Sequence, residues 1–458
     1  MAQFPSIQIK ADNTLTTANA DTLEKAQVKG SGHYRWVIIG LAFFITLVNY
    51  LDRSAISFAI GPIKQEFGID DSAFGFIGGA FGVGYIFMTL GGGILVDKFG
   101  PRKVWAFAAM AWSTITACLG LAHTIQPLLI MRVSLGLAEG PHFPSLTRVV
   151  SDWLPPAERA RATALGLAAV PFSSVIGAPL ISQLIIHLGW RVMFAVLGSL
   201  GILWSVIWLF FFSNFPEKNR FVSDSELDII RSGRSERNQA DSALRVAAAD
   251  GKKPSTWKRL LTNRTLLANY YAFFAFGYTL FFSVNWLPGY LEHAHGLKLS
   301  SVGMDLIYPW LTATVLLCAG GLISDSIWKK TGSIRKARSH VIWICQLLSA
   351  LSFIPLLFHP TLTEALLSMS LGVGLGLMPN ACFYAINCDL AKDKAGTSQG
   401  LMTCASATSS IAAPILTGWL VSATGNFSAA FGLLIFFSLT SVAAVIFLHQ
   451  PDRDLHID

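Results

Sequence analysis

Charge is scarce in this chain. Of its 458 residues, 13% are Asp, Glu, Lys or Arg, whereas 53% are hydrophobic. A soluble domain of this length carries nearer a quarter charged residues, so the composition excludes a large globular enzyme and points to a polytopic membrane protein. The chain also lacks a nucleotide-binding glycine loop, metal-ligand spacing, and any polar stretch long enough for a catalytic domain, apart from one in the middle. A membrane enzyme or receptor would need such parts, so neither an enzyme nor a cofactor is expected. The six cysteines, Cys118, Cys318, Cys345, Cys382, Cys388 and Cys404, fall in or near apolar runs without paired spacing and imply neither disulfides nor a thiolate site. The first 33 residues lack the apolar core and cleavage pattern of a signal peptide and read as a disordered polar tail. The net charge of +7 sits in particular connections between apolar runs rather than along an amphipathic face, which argues against nucleic acid.

What is abundant is apolar sequence at membrane length. A window of about 20 residues finds segments near 36–60, 73–95, 103–123, 127–150, 161–186 and 190–213, then near 265–291, 302–324, 339–358, 361–389, 397–422 and 427–448. Six plus six around a polar middle predicts an all-α membrane protein of twelve transmembrane helices in two pseudo-symmetric six-helix bundles with a site between them. The expected organisation is a tail (1–33), a first bundle (34–213), a middle loop (214–263), a second bundle (264–449) and a short tail (450–458). Basic residues concentrate in alternate connections: Lys98, Arg102 and Lys103; Arg148, Arg159 and Arg161; Lys329, Lys330, Arg335, Lys336 and Arg338; Lys392 and Lys394. The positive-inside rule then places both termini and the middle loop in the cytoplasm. In that loop, Ser223 and Glu226 spell a capping box ahead of a short amphipathic helix on the membrane surface. Short loops suggest a bacterial inner membrane.

Against this apolar background, a few charges stand out. Asp52 and Arg53 are adjacent in the first segment, and Arg132 and Glu139 lie two helical turns apart in the fourth, on one face. Charge at membrane depth is costly enough to mark a pathway or a site. Two acid and base pairs fit proton-coupled handling of an anion. His142, next to the acid of the fourth segment, is a candidate for a proton relay, although a lone histidine is more often a packing residue.

Gly93, Asp97, Lys98, Gly100, Arg102 and Lys103 resemble the loop signature of the major facilitator superfamily, and Gly321, Asp325, Lys329, Lys330, Gly332 and Arg335 echo it in the second half. Gly93 is expected to permit close helix packing, and Asp97 to cap a neighbouring helix end and pair with a basic side chain such as Arg102 when the cytoplasmic side is closed, as a latch, with Asp325 the equivalent in the echo. Tyr50 to Arg53, the run Glu139, Gly140, Pro141, Phe143 and Pro144, the set Trp153, Pro155, Glu158, Arg159 and Ala160, and Trp286, Leu287, Pro288 and Tyr290 resemble the anion:cation symporter family more narrowly. That resemblance implies uptake of a small organic anion, a sugar acid such as a hexuronate or aldonate or an aromatic carboxylate, with protons and by alternating access. It implies no partner beyond substrate, protons and lipid, and a functional monomer. An organic-anion exchanger or exporter of the same fold is the alternative.

By the same resemblance Asp52 and Glu139 carry protons, while Arg53 and Arg132 meet the substrate carboxylate and hold those acids, with Tyr50 and Tyr85 beside them; structural ion pairs pinning the first and fourth helices together are the alternative. In the second half, Asn380, Phe383, Tyr384 and Asn387 recur at helical spacing where such carriers bind substrate hydroxyls, and Thr403 falls where they often have an amide; interhelical hydrogen bonding is the alternative for Asn387 and Thr403. Val170 stands where sugar-acid carriers often have glutamine, and Cys382 and Phe383 replace more polar residues, which tilts the pocket toward a less hydroxylated or aromatic carboxylate and leaves sugar acid and aromatic acid both open.

Overall fold

The computed structural model describes residues 32–230, 257–391 and 395–454, and these form helices almost throughout, without strands. Most of the N-terminal tail, the rest of the middle loop, Lys392, Lys394 and residues 455–458 lie outside the described residues. The first half comprises α1 (Tyr34–Phe58), α2 (Asp71–Phe99), α3 (Pro101–Leu119), α4 (Ile125–Glu139), α5 (His142–Trp153) and α6 (Pro156–Phe211). The second comprises α7 (Arg264–His295), α8 (Ile307–Thr331), α9 (His340–Phe353), α10 (Leu362–Leu377), α11 (Asn380–Ala391), α12 (Ala395–Thr424) and α13 (Ser428–Leu448).

Helix α6 has 56 residues and turns at Gly189 (φ 78, ψ 160), so it supplies two spans where about 20 residues suffice for one. The fourth span is α4 and α5 broken at Gly140 and Pro141, and the tenth is α10 and α11 broken at Met378 and Pro379. The break falls at the same place in each half, as a duplicated plan requires. Nine helical stretches among the described residues are long and apolar enough to cross a membrane, one of them the double stretch Arg161–Phe211. The two other spans are α3, which buries Trp105, Trp112, Ser113 and Thr116 on one face, and the broken fourth span, whose α4 buries Arg132 and Glu139.

Small residues let the helices approach. A methyl on Gly84 would overlap the Val133 carbonyl, and one on Gly136 would overlap that of Phe81, so α2 and α4 touch backbone to backbone. At the end of α2 the packing glycine is Gly92, whose added Cβ would lie 2.7 Å from Pro141 Cα, and not Gly93, whose Cβ would meet open space. One residue of helix turns a side chain by about 100°, which takes Gly93 off the contact face. The echo repeats this shift: Gly320 meets the backbone of Met378, while Gly321 has only ordinary contact with Ala381. Gly100 (φ 79) and Gly332 (φ 64) end α2 and α8 in conformations that favour glycine.

The two halves lean together at the end that carries the 59–70 connection. There Gly75 and Gly78 of α2 meet Pro414 of α12, Gly82 meets Ser410, and Gly303 meets Ala178 and Ser182 of α6. Ser422 donates a 2.8 Å hydrogen bond to Asp70 across the same seam. At the opposite end, the start of the middle connection is tied to the first half. Glu226 accepts from the backbone N–H groups of Tyr34 (3.2 Å) and Arg35 (2.8 Å), and Arg35 makes a bidentate pair with Glu158 at 2.8 and 3.0 Å. The expected capping box is therefore only half formed. Ser223 accepts from the Glu226 amide at 3.4 Å, but the Glu226 carboxylate is spent on the two free amides that begin α1. The helix after Ser223 is described to residue 230.

Candidate substrate and coupling site

The membrane-depth charges pair differently from the expectation. Arg53 Nε donates to Glu139 Oε2 at 2.5 Å, an ion pair between α1 and α4 with both side chains buried (3% and 0% exposed). Arg132 is not Glu139's hydrogen-bonded partner; its Nε donates to the Ile77 carbonyl of α2 at 3.3 Å. Helical spacing does put Arg132 and Glu139 on one face, but a shared face does not fix which neighbour each side chain reaches. With α4 seated on α2 through Gly136, Arg132 turns onto α2 and Glu139 reaches α1. Nor do Asp52 and Arg53 pair, because adjacent helical residues point about 100° apart. Asp52 is fully buried toward Thr116 of α3, and neither carboxylate oxygen has a close hydrogen-bond partner among the described residues.

Aromatic rings enclose the Arg53 guanidinium. Its carbon lies 4.6 Å from the Tyr50 ring centroid, 4.9 Å from Phe81 and 4.6 Å from Tyr85. Arg132 lies 5.2 Å from the same Phe81 ring. Cation–π contact of this kind holds a guanidinium in an apolar setting without consuming its N–H donors. Both terminal nitrogens of Arg53 and Nη1 of Arg132 are buried without hydrogen-bond partners among the described residues. Unmet charged donors are costly to bury.

Arg53 and Arg132 line a small, largely enclosed pocket between the halves. Tyr50, Arg53, Phe81 and Arg132 line it from the first half, and Phe281, Val284, Asn285 and Ser410 from the second. Asn285 spends its amide on the Phe281 carbonyl of its own helix at 2.8 Å and leaves Oδ1 unpartnered. Sequence reasoning missed Phe81, which carries no polar signal, and Asn285. The latter was detectable as an amide within a long apolar run, next to Trp286.

The expected second-half residues lie elsewhere. Asn387 is fully buried and fully engaged: it donates to the Phe383 carbonyl (3.1 Å) and the Met402 sulfur (2.9 Å) and accepts from Ser398 (2.7 Å). It joins α11 to α12, the interhelical hydrogen bonding that stood as the alternative for this residue. Thr403 bonds the Gln399 carbonyl within its own helix at 2.9 Å. Phe383 packs on Phe273 and Phe276, with centroids at 5.3 and 5.6 Å, and Asn380 is buried at the start of α11. Tyr384 stacks edge-on against Phe273, within electrostatic range of Tyr50 and Tyr85. Of the expected second-half group, it is the one placed toward the first-half aromatics. His142 is held by the Trp105 indole, which donates to its Nδ1 at 3.2 Å, and no hydrogen bond links it to Glu139.

At the expected latch, Asp97 and Arg102 have separate partners. Asp97 pairs with Arg148 of α5 at 3.1 Å, and Arg148 also meets Asp152 at 2.7 Å. Arg102 instead points to the end of α6: its backbone N–H reaches Asn214 and its guanidinium the Leu209 carbonyl. Asp325 pairs with Arg338 at 2.9 Å. Asp97 is 73% exposed and Arg148 44%, so their pair contributes less than about 1 kcal/mol to stability.

The family model described as Major Facilitator Superfamily matches residues 42–337. A probable galactarate/D-glucarate transporter of Bacillus subtilis is 34% identical to this chain, over 90% of this chain and 90% of its own length. A probable sulfoacetate transporter of Cupriavidus necator is 30% identical, over 87% and 90%. Among solved structures, a D-xylose-proton symporter superposes with a TM-score of 0.70 at 15% identity, covering 92% of this chain and 99% of that one, a likeness of fold.

Proposed function

We propose, from the premise that this chain belongs to the Major Facilitator Superfamily, that it is a multi-pass carrier importing a small organic anion together with protons. The observation that carries this reading is the pair of buried guanidinium groups with unpartnered nitrogens in the cleft between the halves, one of them holding Glu139. The relatives named for galactarate, glucarate and sulfoacetate support an organic anion.

In this mechanism the substrate's acidic group docks on the terminal nitrogens of Arg53 and on Nη1 of Arg132. The incoming charge competes with Glu139 for Arg53, so the carboxylate loses its counter-ion and takes a proton. Anion and proton therefore bind with positive linkage, and each raises the affinity for the other. Asp52, buried beside Thr116 without a cation of its own, is the second proton carrier. The halves then rock about the cleft, opening the seam of α2 and α12 as the opposite end closes. Asp97 with Arg148 and Asp325 with Arg338 act at the end bearing both termini, which the basic connections assign to the cytoplasm.

The test is uptake by proteoliposomes of a labelled panel of sugar acids, aromatic acids and sulfonates under an inward proton gradient. Accumulation of one class that collapses with a protonophore is the expected result. Failure to accumulate any, with counterflow from preloaded vesicles intact, would replace symport by organic-anion exchange.

A further inference from the structure

A cavity of about 380 Å³ lies away from the arginines, on the outer side of the first half. Its size is that of a small-molecule site, but its walls are hydrocarbon: Leu95 and Phe99 of α2, Phe107 and Ala111 of α3, and Pro141 at the break between α4 and α5. Lys103 is the one charged side chain that lines it among the described residues. Gly92 and Met88 seat α2 on the break at Pro141 and Gly140, while the small side chains of Ala108 and Ala111 leave the space beside α3 unfilled. The groove opens sideways. Phe107 is 77% exposed and Phe99 52%, on helices that cross the bilayer, so the medium they meet is lipid. Met88 at the inner end and Phe99 at the mouth lie eleven residues apart on one helix, a rise of about 16 Å. That is roughly half the hydrocarbon thickness, the depth of one leaflet, on the side that the basic connections assign to the cytoplasm.

The mouth is cationic. The Lys98 ammonium sits 5.3 Å from the ring centroid of Phe99, and Lys103 lines the groove itself. Among the described residues neither lysine has a carboxylate within ion-pair distance: Asp97, the adjacent acid, pairs with Arg148, and the Arg102 guanidinium is taken by the Leu209 carbonyl. Two ammonium groups thus stand over an apolar slot, a combination that matches an acidic headgroup with an acyl chain beneath it. A second copy of the chain is a poorer match, because two-fold pairing through this face would bring the same lysines toward each other.

We propose that this groove binds one anionic phospholipid of the cytoplasmic leaflet, with its phosphate held by Lys98 and Lys103 and one acyl chain lying along Phe107 and Ala111 to Pro141. The chain end then rests against the α4–α5 break, two residues from Glu139. The test is native mass spectrometry of the purified, delipidated full-length protein titrated with phosphatidylglycerol or phosphatidylcholine. One phosphatidylglycerol should bind, at least fivefold more tightly than phosphatidylcholine. Lys98→Gln combined with Lys103→Gln should bring that ratio to about one. Lys329→Gln combined with Lys330→Gln, which removes the same charge at the end of α8, should leave it unchanged. Ala111→Phe, which fills the groove, should abolish retention of both lipids; if it fails to stay monodisperse on size-exclusion, Ala111→Leu takes its place and should weaken both. Equal retention of the two lipids by the wild type, an equal drop in the Lys329 and Lys330 variant, or undiminished retention in the folded groove variant would overturn the site. So would a concentration-dependent dimer that the groove variant dissolves, which would make this face a contact between two copies. The transported anion takes no part in the assay, so its failure leaves the carrier reading standing.

Discussion

Replacing Glu139 with Gln is the sharpest test of coupling. The amide keeps an acceptor for Arg53 Nε, so the 2.5 Å contact survives as a neutral-acceptor hydrogen bond, while the negative charge is removed. An anion on the far nitrogens of the same guanidinium would sit roughly 5–6 Å from that carboxylate, where two like charges repel by about 3 kcal/mol at an effective dielectric near 20. This is a ceiling on the gain, corresponding to roughly a hundredfold tighter anion binding at a pH where the wild-type acid is ionised. The variant mimics the protonated carrier permanently. Its affinity should be higher than wild type and flatter with pH, counterflow should persist, and accumulation against a gradient should fall to equilibration. The assays are ligand-induced thermal shift between pH 5 and 8 and proteoliposome uptake with and without a protonophore. Full gradient-driven accumulation, abolished by the protonophore as in wild type, would refute a coupling role for Glu139.

Other outcomes follow from the packing and the ion pairs. Gly92→Ala should cost about 1–3 kcal/mol through overlap with Pro141, whereas Gly93→Ala should be neutral or slightly stabilising; thermal unfolding in detergent separates them. Glu226→Ala leaves the first amides of α1 without their acceptor and should lower stability by about 1–3 kcal/mol, with Arg35 retained by Glu158. The Arg35 guanidinium, by hydrogen bonding, holds the Glu158 carboxyl below its ordinary value. Since the folded state binds that proton less readily than the unfolded chain, the pair's stabilisation is present above the ordinary glutamate range and is lost as pH falls through the lower folded value. The melting-temperature difference between wild type and Glu158→Gln should thus be constant near neutrality and shrink below about pH 4. In a double-mutant cycle, Asp97→Asn and Arg148→Ala should show a coupling below about 1 kcal/mol in equilibrium stability. A change in transport rate in the same variants would locate their role in conformational exchange.

The sequence by itself determined the class, the twelve spans and their duplication, because hydrophobic length is a local property and a bilayer reads it one segment at a time. The family followed from motifs with fixed spacing, and the relatives and family match agree with it. It also identified the buried charges, since an ionised residue in an apolar run is conspicuous wherever the helix ends up. Only the tertiary structure decided which charge meets which. Residues seven apart share a face, yet Arg132 is taken by the Ile77 carbonyl and Glu139 by Arg53, 86 residues away in sequence. In the same way, Asp97 reaches Arg148 and Arg102 the end of α6. In the second half, the polar stripe Asn380, Phe383, Tyr384 and Asn387 was legible as a pattern, but whether an amide faces a cleft or a neighbouring helix depends on what packs opposite. For Asn387 that neighbour is α12, through Ser398 and Met402, while Asn285, on a helix buried nearly all round, lines the same pocket as the arginines.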